Sequence, residues 1–266
     1  MTNIITLTTD FGLNDHYVGA MKGSILGINP KVHIVDIAHG IPSFDIEQGA
    51  YLIGSSFLMF PKGTIHVVVV DPGVGSERRP ILLKTEHYYF IAPDNGVLSL
   101  AAERDSVREI YVLDKNEYFM DRVSPTFHGR DIFAPIAAHL AKGVAPKKLG
   151  TRTKGFHGKA LFEVFREDKK LVTTVIHIDH FGNATTGFTA EQFYRFVKEA
   201  PYELQIGGEK FNCLYDTYHD VSEGLPLALI GSSGFLEVAI RQESFAVSHN
   251  LKVGDAVELI LKTRQL

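Results

Sequence analysis

The chain has little that could staple it or anchor it. Cys213 is the only cysteine among 266 residues, so no intrachain disulfide can form and no thiolate cluster can hold a metal. Tryptophan is absent, so a flat ligand must stack on one of the 18 Phe or 10 Tyr residues. There is no surplus of positive charge. Lys and Arg number 27 against 31 Asp and Glu, a formal net charge of -4, which argues against nucleic acid or an anionic membrane as partner. No apolar run approaches the roughly 20 residues that span a bilayer. The opening MTNIITLTTD lacks a basic region and a small-residue cleavage site. It is expected to be a strand, not a signal peptide, which makes the cytoplasm the expected location.

What is present suits a globular enzyme. Hydrophobic residues make up 45% and charged residues 22%, enough for the cores of one large or two smaller domains. Apolar runs at 4–7, 32–37, 65–70, 81–83 and 88–92 read as strands. Stretches at 17–28, 43–57 and 131–142 read as helices, with Ser43 as expected N-cap and Glu47 near a capping-box position. The run at 65–70 does not alternate, as expected of a strand buried on both faces. This βαβ rhythm predicts an N-terminal α/β domain with a mostly parallel central sheet over 1–152. A charged, glycine-bearing linker is expected at 153–167. Short β-rich runs at 171–178, 202–206, 225–230, 236–239 and 256–261, with a helix at 190–198, predict a smaller antiparallel domain of barrel or sandwich type over 168–266.

Chemistry-bearing residues gather at the expected strand ends. Asp71-Pro72-Gly73-Val74-Gly75 follows the buried run Val67–Val70, and Arg78 and Arg79 come just after. A sheet fixes such a backbone while the turn exposes its side chains. Asp10 and Asp15 flank Phe11-Gly12-Leu13-Asn14 after the first strand. They could hold ribose hydroxyls, an ammonium or a metal, and Asp15 could instead cap the following helix. His128 precedes a helix whose positive end should depress its pKa and favour neutral imidazole. Asp94-Asn95-Gly96 reads as a structural turn with Gly in the left-handed region. Asp179-His180-Phe181-Gly182-Asn183 ends a strand with a carboxylate and an amide whose donor and acceptor suit an adenine edge. Gly231-Ser232-Ser233-Gly234 offers donors suited to a carboxylate. The 12 histidines show no His-x-x-x-His spacing, so no catalytic metal is expected. The absence of Gly-x-Ser-x-Gly argues against a serine hydrolase of the nucleophile-elbow type.

In this order, over nearly the whole chain, these motifs resemble the S-adenosylmethionine hydroxide adenosyltransferases, water-using relatives of the bacterial fluorinase and chlorinase. The resemblance implies hydrolysis of S-adenosylmethionine to adenosine and L-methionine without a cofactor. It also implies a β-barrel-like C-terminal domain and a homotrimer with active sites between subunits. Carried over by residue, it makes Asp71, Arg78 and His128 the water-activating trio and Asp10 the ribose-diol carboxylate. Asp15 and Asp179 would hold the methionine ammonium, and Ser232 and Ser233 its carboxylate. Asn183 would read the adenine edge, with Phe44, Phe127 and Tyr218 flanking the nucleoside. Arg241 stands where a smaller polar residue is expected beside adenine. A carboxylate and an imidazole favour water over halide, because an anion needs no base and would be repelled. Gly129 is expected to leave space beside His128. A nucleoside-binding protein without turnover and a halide-using adenosyltransferase are the competing readings.

Overall fold

The structure, a computed structural model, describes residues 3–159 and 161–262. It divides into two compact units, Met1–Leu161 and Phe162–Leu266. In the first unit, strands β1 (Ile4–Thr9), β2 (His33–Ala38), β3 (Ile65–Val69), β4 (Pro80–Thr85), β5 (Tyr89–Pro93), β6 (Val107–Val112) and β7 (Thr151–Thr153) form one sheet in the order β2-β1-β3-β5-β4-β6-β7. The block β2-β1-β3-β5 is parallel, as the βαβ rhythm predicts, and β4, β6 and β7 extend it antiparallel.

Burial explains why β3 carries no alternation. Val67 and Val69 pack with Met21 and Ile25 of α1 (Tyr17–Ile28), while Val68 and Val70 pack on the other face with Ile53 of α2 (Ile46–Ser56). Leu100 and Ala101 of α3 (Ser99–Arg104) are buried, with Ala101 in the α2-side core. Ile136 and Leu140 of α4 (Ala134–Ala141) join the α1-side core, and α5 (Pro146–Leu149) adds Leu149 to it. Strand β1 connects through α1 to β2 on one side, and β2 through α2 to β3 on the other. The carboxyl ends of β1 and β3 therefore flank a topological switch point, where open α/β sheets form their binding crevice.

Two helix starts differ from expectation. Helix α2 begins at Ile46, capped by Asp45, which accepts from the Gln48 N–H at 3.0 Å. Ser43 is not the cap, because Phe44 adopts φ 71, incompatible with a helix. Glu47 pairs instead with Lys159, at 2.6 Å. The helix expected at 131–142 opens as a π turn over Gly129–Phe133 before α4 proper. Sequence reading missed α3 and β6. The linker expected at 153–167 is structured at both ends: β7 runs into it as far as Thr153, the His157 N–H donates to Asp94 at 2.6 Å, and Phe165–Glu167 is a strand of the second unit.

The second unit is an antiparallel, barrel-like sheet in the order β12-β11-β15-β9-β10-β14-β13, with β8 also on β9. The strands are β8 (Phe165–Glu167), β9 (Lys170–Ile178), β10 (Ala184–Thr189), β11 (Tyr202–Ile206), β12 (Glu209–Phe211), β13 (Pro226–Ile230), β14 (Phe235–Ile240) and β15 (Ala256–Leu261). Val175, Phe188, Leu204, Val238 and Val257 fill its core. Helix α6 (Ala190–Val197) closes over it, started by a capping box between Thr189 and Gln192. A short α7 (Phe245–Ser248) contributes the fully buried Phe245. Among the described residues no helix is long and apolar enough to cross a membrane.

Candidate active site

Strand β3 delivers Asp71 to the switch point, and the turn after it brings Arg78 back onto the carboxylate. The Val74 N–H donates to the Asp71 carbonyl at 3.2 Å, and the Ser76 N–H to the Gly73 carbonyl at 3.0 Å. Gly75 sits at φ 80 against the Pro125 carbonyl, where a Cβ would collide. Asn95 fixes the strand end, its Nδ2 donating to the Val70 carbonyl at 2.8 Å, so the Asp94-Asn95-Gly96 turn is structural.

Arg78 holds the cluster together. Its Nε donates to Asp71 Oδ1 at 2.9 Å, its Nη2 to Asp71 Oδ2, and the same Nη2 to His128 Nδ1 at 2.7 Å. The two charged side chains are 9% and 5% exposed. A guanidinium has no lone pair to offer, so His128 Nδ1 must accept and the imidazole proton must sit on Nε2. Burial, then the neighbouring Arg78 charge, pushes the His128 pKa down, with Asp71 and Asp131 opposing. The direction is the one expected, with burial as its first cause, and His128 stands at the N-cap of the Gly129–Phe133 turn. Arg78 Nη1 is buried with no hydrogen-bond partner among the described residues. A buried donor in that state is costly unless an acceptor arrives.

Asp71 and His128 line a cavity of about 300 Å³ together with Asp10, Phe44 and Phe127. Asp10 Oδ2 accepts from the Phe44 N–H at 2.9 Å. Burial raises the Asp10 pKa against that bond and its own N–H, with the Asp71 charge adding to the rise. Phe44 is 69% exposed beside this opening, whereas Phe127 is 9% exposed and packs edge-on to Phe11 and Tyr17. Gly129 lines the cavity, but the room beside it is tight, since a Cβ would lie 3.3 Å from both Met21 Sδ and the Phe11 ring. Asp15 is exposed and outside the cavity lining, and the alternative that it caps α1 fails, because the helix starts from His16 without a side-chain cap.

A second cleft, of about 490 Å³, lies within the second unit and brings together Asp179, Asn183, Tyr218 and Arg241. Asp179 Oδ1 accepts from the backbone N–H groups of Phe181 and Asn183, each at 2.9 Å, and Oδ2 from Asn183 Nδ2 at 3.0 Å. Gly182 allows this tight turn at φ 85, where a Cβ would strike Ser244. Tyr218 donates its hydroxyl to Glu237 Oε1 at 2.5 Å. Burial raises the Glu237 pKa; burial and then the Glu237 bond raise that of Tyr218. Sequence reading passed over Glu237, whose signal was a lone acid in the apolar run of β14. Arg241 Nη1 donates to the Val221 carbonyl at 2.8 Å. Ser232 and Ser233 lie on the β13–β14 turn, outside the lining of this cleft. Among the described residues no cluster of three His, Cys, Asp or Glu side chains is placed to hold a metal ion.

Comparison with known proteins gives one family. Residues 5–150 match the SAM hydroxide adenosyltransferase N-terminal domain, and residues 173–258 the SAM hydroxide adenosyltransferase C-terminal domain. A Methanocaldococcus jannaschii protein named (R)-S-adenosyl-L-methionine hydrolase is 35% identical over 267 residues, covering 97% of this chain and 96% of its own. A Nocardia brasiliensis protein named Fluorinase is 30% identical over 294 residues, covering 96% of each chain. The crystal structure of an uncharacterized conserved protein from Thermotoga maritima matches with a TM-score of 0.89 at 36% identity, over 96% of this chain and 99% of its own.

Proposed function

The chain belongs to the SAM hydroxide adenosyltransferase family, and from that premise we propose that it hydrolyses S-adenosyl-L-methionine to adenosine and L-methionine. One observation carries the choice of water: the unpartnered, buried Arg78 Nη1 beside Asp71 and His128. Nη1 donates to the oxygen of a water molecule and stabilises the negative charge that develops on it. His128 has its Nδ1 engaged by Arg78, so it offers an N–H at Nε2 and is not the base in this state. Asp71 retains acceptor capacity beyond its two bonds to Arg78 and takes the proton. The water oxygen bonds to C5′ as the C5′–S bond breaks. The sulfonium leaves as the neutral thioether of methionine, and the proton passes from Asp71 to solvent.

Asp10 receives the ribose diol in this reading, with Phe44 and Phe127 beside the sugar. Asn183 reads the adenine edge beside Tyr218, and Asp15, Ser232 and Ser233 serve the methionine end. Neighbouring subunits of a homotrimer in the cytoplasm combine the two clefts, and no cofactor, metal or nucleic acid takes part. Fluorinase is among the relatives, but a carboxylate at the attacking position repels halide.

Incubation with S-adenosyl-L-methionine in water labelled with oxygen-18 tests the reaction. Labelled adenosine and methionine are expected in equal amounts. The hydrolase relatives carry the (R) sulfonium descriptor, so both sulfonium epimers are compared. No adenosine above the spontaneous rate, or a 5′-halo-adenosine formed from added chloride or fluoride, refutes the assignment.

A further inference from the structure

The second cleft fixes which end of the Asn183 amide a ligand meets. Asp179 Oδ2 accepts from Asn183 Nδ2 at 3.0 Å. A carboxylate has no proton to give, so turning the amide round would set the Asn183 oxygen against an anion. The surrounding turn is closed by the Asp179 N–H on the Asn183 carbonyl and the Gly182 N–H on the Asp179 carbonyl, both at 3.0 Å. Asn183 Oδ1 therefore has one permitted place. It receives no hydrogen bond among the described residues, although Asn183 lines the cleft. The Tyr218 hydroxyl is committed to Glu237 and does not compete for it.

We infer that Asp179 is a positioning residue that sets the hydrogen-bond polarity of this cleft, so that Asn183 Oδ1 selects a purine bearing an amine at C6 over one bearing a carbonyl. The inference rests on the reading of Asn183 as the base reader. Three donors of its own turn already engage the Asp179 carboxylate, and the positioning role rests on these bonds alone, apart from the expected ammonium contact.

Exchanging the proton content of the pair tests it. In Asp179→Asn, the new amide oxygen keeps the two backbone donors and its NH₂ faces Asn183. The Asn183 amide then turns over and presents NH₂ to the cleft. Adenosine and inosine are titrated calorimetrically against the full chain, without turnover. Wild type is expected to prefer adenosine by at least about tenfold, and Asp179→Asn to lose or invert that preference. The double variant Asp179→Asn/Asn183→Asp again presents an acceptor and should recover the adenosine preference, which a merely structural role for Asp179 would not produce. Should Asp179→Asn fail to fold, wild type titrated with purine riboside, which lacks the amine, should bind about tenfold more weakly than adenosine. Equal binding of adenosine and inosine by wild type, binding of neither, or an unchanged preference in Asp179→Asn overturns the inference. Hydrolysis is measured separately with S-adenosyl-L-methionine, so loss of base selectivity in an active enzyme refutes the polarity argument alone.

Discussion

His66→Phe should flatten the acid sensitivity of the first unit. His66 lies on β3 with no exposed surface, stacked on Phe90 at 5.1 Å between ring centroids and edge-on to Phe57 and Phe60. Its Nδ1 shares a 2.7 Å hydrogen bond with Thr6 Oγ1, and its Nε2 has no partner among the described residues. Nothing in this cage stabilises a cation by pairing, and burial pushes the pKa from 6.5 down to about 3. The unfolded chain binds a proton below 6.5 that the folded chain refuses until about 3, so stability falls as the pH drops through that window. Between neutral pH and pH 5 the loss is about 2 kcal/mol, at roughly 1.4 kcal/mol per pH unit. Down to pH 3 it reaches about 4 kcal/mol. Phenylalanine keeps the ring and removes the titration. The Thr6 hydroxyl loses its partner, but that penalty is the same at every pH and leaves the slope untouched. Urea unfolding of both proteins at pH 7.5, 6 and 5 measures the difference. Relative to wild type, the variant should gain about 2 kcal/mol between the two ends of that range. Parallel curves would show that His66 is protonated in the folded state, or solvated, and would refute the reasoning.

Arg78→Lys should lower kcat by about a hundredfold or more with little change in KM, because an ammonium cannot bridge Asp71 and His128 and still aim a donor at water; steady-state kinetics decide, and a near-normal kcat contradicts the role. Asp10→Asn should weaken adenosine binding. Since burial raises the Asp10 pKa, wild-type affinity should climb with pH somewhat above the usual carboxylate range, and the variant's should stay flat; calorimetry across pH 4 to 7 separates the two. Gly129→Ala should displace the Phe11 ring or Met21 and cost about 1–3 kcal/mol of stability, read from thermal unfolding; an unperturbed melting temperature would mean that the two side chains yield freely. Extended dialysis against EDTA should leave the hydrolysis rate unchanged, and a loss restored by a divalent cation would bring a metal into the mechanism.

What could be read from the sequence was what the chain builds locally. Asp71 and Arg78 are seven residues apart on one turn, and the 2.9 Å contact follows from the glycines between them. Asp179 and Asn183 are four apart and close on each other in the same way. Distant partners were out of reach. Glu237 meets Tyr218 from 19 residues away, and the crowding of Gly129 comes from Phe11 and Met21 on other elements. The late start of α2 has the same origin. The Phe44 N–H donates to Asp10, a residue 34 positions earlier, while Phe44 holds a left-handed backbone, so capping falls to Asp45.

Hydrogen-bond direction was the part least visible in the motifs, and the chemistry depends on it. Histidine and asparagine can each donate or accept, so His128 and Asn183 as letters leave two states open. In each cleft a neighbour without that freedom decides. A guanidinium only donates, and Arg78 thereby makes His128 Nδ1 an acceptor and leaves the proton on Nε2. An ionised carboxylate only accepts, and Asp179 thereby draws Asn183 Nδ2 inward and leaves Oδ1 for the ligand. The same logic separates the roles of Asp71 and His128. In the hydrolysis proposed above, an imidazole with Nδ1 occupied and Nε2 protonated orients a water without deprotonating it, which assigns the base to the carboxylate.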